Sequence, residues 1–172
     1  AAAAAYRFAR KEALRANAFT FAPITEVAIL FAGIFATMVP ALDWLALNAD
    51  HLHIRTPGQF YWASGILSSF LDNAPTYLNF LSAAMGLHQL TLGNVEHMKI
   101  LLSQHAGFLQ AISVASVFFG ASTYIGNGPN FMVKSIAEHA GVECPSFFGY
   151  IVRYSLPVLI PIFAIVWFLF FR

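Results

Sequence analysis

The chain has 172 residues, 59% of them hydrophobic and 10% charged, with a mean hydropathy of +0.67. A soluble domain carries about 25% charged residues, so the composition excludes that class and predicts an all-α integral membrane protein. The net charge of +1, spread over scattered basic residues, offers no face for nucleic acid, and the lone Cys144 excludes an intrachain disulfide or a cysteine-based metal cluster.

Residues 1–5 are five alanines, read as a placeholder ahead of a chain that begins inside a longer protein; no signal-peptide pattern follows them. In residues 6–19, Arg7, Lys11 and Arg15 recur at helical spacing with Arg10 alongside. That segment is expected on the cytoplasmic side, either among anionic headgroups or as a solvated linker. Pro23 is placed to open a helix, and Ile24 to Leu47 carries only Glu26 and Asp43 as charges. At about 1.5 Å per residue this run reaches ~36 Å, enough for a full span. Glu26 is expected in its first turn, favoured by the helix dipole, and Ala28, Ala32 and Ala36 form a small-residue stripe suited to helix contact.

Residues 48–57 read as a polar loop, in which His51 and His53 lack a third metal ligand. Two apolar arms follow, Gly58 to Leu71 and Pro75 to Leu87, with Tyr61 and Trp62 expected at the membrane entry. Each arm covers about half of a ~30 Å hydrocarbon core, so the pair makes a re-entrant hairpin or one discontinuous helix. Residues 88–106 predict a surface helix with Val95, Met98, Leu101 and Leu102 on its apolar face and His88, His97 and His105 facing solvent. Gly107 to Ile125 is apolar, Gly126 to Asn130 breaks the helix, and a short helix restarts at Pro129 and runs to about His139. After a turn over Gly141 to Ser146, Phe147 to Phe171 predicts a last span kinked at Pro157 and Pro161.

The two breaks match. At a constant offset of 54, Ser68-Ser69-Phe70-Leu71-Asp72-Asn73-Ala74-Pro75-Thr76-Tyr77 faces Ser122-Thr123-Tyr124-Ile125-Gly126-Asn127-Gly128-Pro129-Asn130-Phe131. The departures are Asp72 against Gly126 and Thr76 against Asn130. A helix interrupted in a membrane frees carbonyls that coordinate cations and amides that favour anions. Asp72, Asn73, Thr76, Ser68, Ser69, Ser122, Thr123, Asn127 and Asn130 are therefore the candidate ion- and substrate-binding residues. Asp72, Asn73 and Asn127 are the candidate ligands of a Na⁺ ion. Asp72 is the charged member, able to neutralise a cation or carry a proton. No nucleophile–base pair, HExxH or phosphate-cradling loop is present, so an enzyme is not expected.

These stretches, together with Phe21 to Ala28 and Leu30 to Phe35, resemble the C-terminal half of carriers in the ion-transporter superfamily. The likeness is closest to the branch of NhaD-like sodium/proton antiporters and citrate transporters. The resemblance implies that residues 20–172 form one half of an inverted-repeat membrane domain. Such a half has two full spans, a re-entrant hairpin and a discontinuous helix. It further implies Na⁺ or H⁺ as coupling ion with no other cofactor, sodium/proton antiport or carboxylate symport, a homodimer, and multi-pass insertion in a bacterial inner membrane. A complete site would need an N-terminal half or partner membrane subunits; the alternative is a half-transporter-like structural subunit of a larger membrane complex. Counting Lys and Arg on each side gives six against three for both a hairpin and a spanning arrangement of residues 58–87, so arm length and the resemblance favour the hairpin.

Overall fold

The computed structural model describes Phe8 and residues 22–172, so the expectations for residues 1–5 and, Phe8 apart, for 6–19 lie outside the described residues. The chain divides into two compact units, residues 1–36 and 37–172. The described residues are all helical or irregular, with no strand among them. Helix α1 (Ala22–Leu47) crosses the boundary between the units and is followed by a 3₁₀ turn over Ala49–Leu52. In its first half, Ala28, Ala32 and Ala36 are exposed rather than packed, and Glu26 lies beyond the first turn instead of within it.

The second unit is built around a hairpin. Helix α2 (Pro57–Ser68) starts with a capping box: Thr56 accepts from the amide of Gln59, whose side chain accepts in turn from the Thr56 amide. Helix α3 (Asn73–Leu87) starts two residues before Pro75, because Asp72 is its N-cap and Pro75 falls in the first turn, where a missing amide costs nothing. The first arm likewise ends at Ser68, short of Leu71. Phe60, near the start of α2, packs with Ala83 and Ala84, near the end of α3. The chain therefore turns back on itself at residues 69–72, and the two arms run antiparallel.

Helix α4 (Val95–Gln104) and helix α5 (Ala106–Phe118, continued as a 3₁₀ turn over Phe119–Ser122) meet at a 92° bend at His105. On α4, Leu101 is buried and Met98 half-buried, but Val95 and Leu102 are exposed, so the apolar face is narrower than expected. Helix α5 lies parallel to α2: Phe60 meets Phe108 at 5.2 Å between ring centroids near the start, and Ser69 bonds to Phe119 near the end. The inner face of α2 carries Phe60, Tyr61, Ser64, Gly65, Ser68 and Ser69, all buried, at i, i+1, i+4, i+5, i+8 and i+9. These are two adjacent rows of one helix face. Small residues in those rows let α2 and α5 approach closely.

Helix α6 (Gly128–His139) restarts one residue before Pro129. Helix α7 (Phe147–Phe170) is the one helix among the described residues that is long and apolar enough alone to cross a bilayer; α4 and α5 reach that standard only as a bent pair. Pro157 sits in a π-helical stretch, Ile151–Leu159, and Pro161 in the first turn of the α-helical segment that follows. A widened turn is one way for a helix to absorb a proline without breaking. Helix α7 runs antiparallel to α2. The Tyr61 hydroxyl donates to the Phe163 carbonyl at 3.1 Å, and Tyr61 stacks on Phe171 at 5.1 Å. Tyr61 is fully buried in this cluster with Ala111, Ala115 and Phe119, so it is a core residue and does not mark a lipid interface.

One contact tests the α2–α5 packing directly. A Cβ added at Gly65 would lie 2.6 Å from the Phe119 ring. Gly65→Ala is expected to lower stability by about 1–3 kcal/mol, read as a drop in thermal unfolding midpoint in detergent. Ala63→Gly, on a half-buried position of the same helix, serves as the reference for a change in helix propensity alone.

Candidate functional site

The two breaks lie against each other at the hairpin tip. Where α5 passes into its 3₁₀ turn, side chains of the tip donate to backbone carbonyls of that region. Ser68 Oγ donates to the Ser116 carbonyl at 2.6 Å, and Ser69 Oγ to the Phe119 carbonyl at 3.3 Å. The Asn73 side chain faces three oxygens, so its NH₂ group is the end that points there: Ser116 O at 2.8 Å, Ser68 Oγ at 3.2 Å and Gly126 O at 3.3 Å. From the other break, Thr123 Oγ1 donates to the Ser69 carbonyl and accepts from the Gly126 amide at 3.0 Å. Asn130 Nδ2 donates to Gly120 O at 3.0 Å and Thr123 O at 3.3 Å.

Ser68, Ser69, Asn73, Thr123 and Asn130 are thus brought together, and their polar groups are largely spent on backbone. Ser122 sits in the same turn, its carbonyl accepting from Ser155 Oγ of α7 at 2.6 Å while its own hydroxyl is buried without a partner. Asn127 makes no capping bond at the start of α6.

The mismatch in the repeat has a steric cause. A Cβ at Gly126 would lie 2.7 Å from Gly120 O and 2.9 Å from both Ser68 O and Ser69 O. Three carbonyl oxygens crowd that position, so the second break has no room for a counterpart of Asp72. Asp72 itself is half-buried, and its Oδ1 accepts from the Asn73 amide at 2.7 Å. One turn on, Thr76 is fully buried and its hydroxyl has no partner, as is also true of the Asn79 amide oxygen. A buried oxygen without a donor or cation is costly; Thr76 lies one turn from Asp72, whereas Asn79 lines a separate apolar cavity with Leu45, Leu52 and Ile54.

A cavity of about 310 Å³ opens beside the second break, lined in part by Thr123, Tyr124, Asn130, Lys134, Cys144 and Tyr150. Its one cation is already paired, with Lys134 Nζ 2.5 Å from Glu138 and 5.4 Å from the Tyr124 ring centroid. Among the described residues no group of three or more His, Cys, Asp or Glu gathers as a metal site. A cation held by carbonyls, hydroxyls and a single carboxylate needs no such group.

Ser116, Gly120 and Ser155 belong to this region and were not anticipated. The signal for the serines was available: a hydroxyl inside an apolar helix must find a carbonyl, and Ser116 and Ser155 each interrupt an apolar run. The histidines also depart from expectation, since His88 and His105 stack face to face instead of pointing separately to solvent.

The Asn73 network predicts an order of damage. Asn73→Ala removes the donors that Ser116 and Gly126 use and should cost about 1–3 kcal/mol. Asn73→Asp keeps the shape but sets a carboxylate against carbonyl oxygens, so its unfolding midpoint should fall at least as far. An Asp variant more stable than the Ala variant would show that the amide does not act as a donor there.

The family model CitMHS_2, described as "Putative citrate transport", matches residues 1–171. Comparison with curated proteins gave no match, and comparison with solved structures gave none either. With nearly the whole chain covered, the protein belongs to this citrate-transport family and is a membrane protein.

Proposed function

We propose that the chain is the C-terminal half of a secondary carrier that moves citrate or a related carboxylate across a bacterial inner membrane, coupled to Na⁺ or H⁺. The family supports the carboxylate. The observation that carries the site is the meeting of two matched helix breaks beside one carboxylate, Asp72. Discontinuous helices, with freed carbonyls at one end and freed amides at the other, are what transporter binding sites are typically built from. An anionic substrate needs positive charge to cross with it, so the coupling cation is assigned to Asp72 and to the unpartnered Thr76 hydroxyl. The start of α6, where Asn127 leaves the helix uncapped, is assigned to the substrate carboxylate through the helix dipole. Sodium/proton exchange uses the same acid differently, Asp72 binding Na⁺ and H⁺ in turn. In both cases the hairpin tip sits at membrane depth, and the N-terminal half of the carrier or a partner subunit completes the site.

In the full-length protein reconstituted into vesicles, Asp72→Asn is expected to abolish cation-coupled citrate uptake while leaving a monodisperse, folded protein. Uptake that keeps its Na⁺ and pH dependence in that variant would sink the proposal. Thr76→Val gives a second reading. Removing a buried, unpartnered hydroxyl should leave thermal stability unchanged or raise it, while the apparent affinity for the coupling cation weakens several-fold. A variant with unchanged cation dependence would take Thr76 out of the site.

A further inference from the structure

At the opposite end of α3 from the breaks, His88 and His105 lie with ring centroids 3.6 Å apart and planes 15° from parallel. His88 caps the C-terminus of α3, and its amide bonds to the last-turn carbonyls of that helix. His105 is the residue at the 92° bend between α4 and α5. Phe108 closes the stack from α5, its ring 4.9 Å from that of His88 and edge-on to it. The Nε2 atom of His88 is sealed from solvent without a hydrogen-bond partner.

We propose that His88 and His105 form a proton-binding pair that holds the corner between α4 and α5 against the end of α3 and lets it go when both rings are protonated. Two neutral rings, or one charged and one neutral, stack at this distance. Two imidazolium rings 3.6 Å apart repel, and the ring carrying the buried Nε2 would then have an N–H with nothing to receive it. Burial lowers the His88 pKa from its ordinary 6.5, and the charge of His105 lowers it further. Among the described residues His105 is the titratable group acting on His88; Phe108, which faces it from α5, is apolar, and no carboxylate acts to stabilise the charged ring. Because the folded protein binds this proton more weakly than the unfolded chain, the stack contributes its full stability above about pH 6.5 and loses it as the pH falls below that value. The proposal concerns a site separate from Asp72 and holds whether the transported species is a carboxylate or Na⁺ alone.

The test uses the full-length protein and reads conformation, so its result is independent of transport. With nitroxide labels on Gln89→Cys and Gln104→Cys, two exposed positions flanking the pair, in a Cys144→Ser background, the distance distribution should be narrow at pH 8 and broaden or lengthen at pH 5. Replacing both histidines by phenylalanine keeps a stacked pair that cannot be protonated. The narrow distribution should then persist at pH 5, and the loss of thermal stability between pH 7 and pH 5 should become shallower. A native pair whose distances do not change with pH, or a double phenylalanine variant that changes as much as the native protein, would overturn the proposal. Similar distributions at pH 8 for both proteins establish that the variant is folded.

Discussion

The hydrogen bonds that side chains of the hairpin tip and of α6 give to backbone carbonyls around the end of α5 are the interaction on which the rest of the second unit depends. Ser116, Phe119 and Gly120 are buried among helices, so donors from the chain take the place that water would have. They come from Ser68, Ser69 and Asn73 at the hairpin tip and from Asn130 of the next helix. To deliver them, α2 must lie beside α5, pointing the same way and close enough for a side chain as short as serine to reach. Gly65 and the serines of α2 make that approach possible, and the Phe60 and Tyr61 clusters hold the other end. The grading of α2 from aromatic residues at its start to hydroxyls at its end is thus one design: apolar packing where helices continue, hydrogen bonds where they stop.

Much of this could be read from residue order. Long apolar runs with polar interruptions mark helices and breaks, although of the two full spans expected only α7 has the length and apolar character among the described residues. The offset match between residues 68–77 and 122–131 joins two interruptions that meet. The restart of α6 beside Pro129 and the extent of α7 follow from proline and hydropathy alone. The parts that could not be read depend on which groups end up adjacent. Asp72 beginning α3 ahead of Pro75 is a competition between a capping side chain and a helix-opening proline, and the cap won by two residues. Tyr61 has the amphipathic character of an interfacial residue, but a carbonyl of α7 was available to its hydroxyl, and burial followed. The stacking of His88 on His105 joins residues that are polar in sequence and whose meeting depends on the 92° bend, which no local pattern signals.

The polar residues near the tip divide by what they have left to offer. Ser68, Ser69, Asn73, Thr123 and Asn130 are occupied in closing the backbone. Asp72, Thr76, Ser122 and Asn127 retain oxygens or amides that nothing among the described residues uses fully. A frame of satisfied groups around a few unsatisfied ones is the arrangement expected where a ligand is held with its surroundings already in place. The division also explains why one acid suffices in this part of the chain, since the crowding of carbonyls at Gly126 leaves the matching position without space for a side chain.

The serine of α7 that reaches the second break carries a mechanical consequence. Ser155 joins α7 to the Ser122 carbonyl, Thr123 joins that turn to the tip, and the tip is joined to α5. Each link is a side chain donating to a carbonyl: separating α7 from the turn strips the Ser122 carbonyl of its Ser155 donor, and separating the tip from α5 strips those of Ser116 and Phe119. Tip, turn, α5 and α7 are therefore joined in series by side-chain hydrogen bonds. A relative movement of α7 and the second break therefore carries the cost of a buried carbonyl left without its donor.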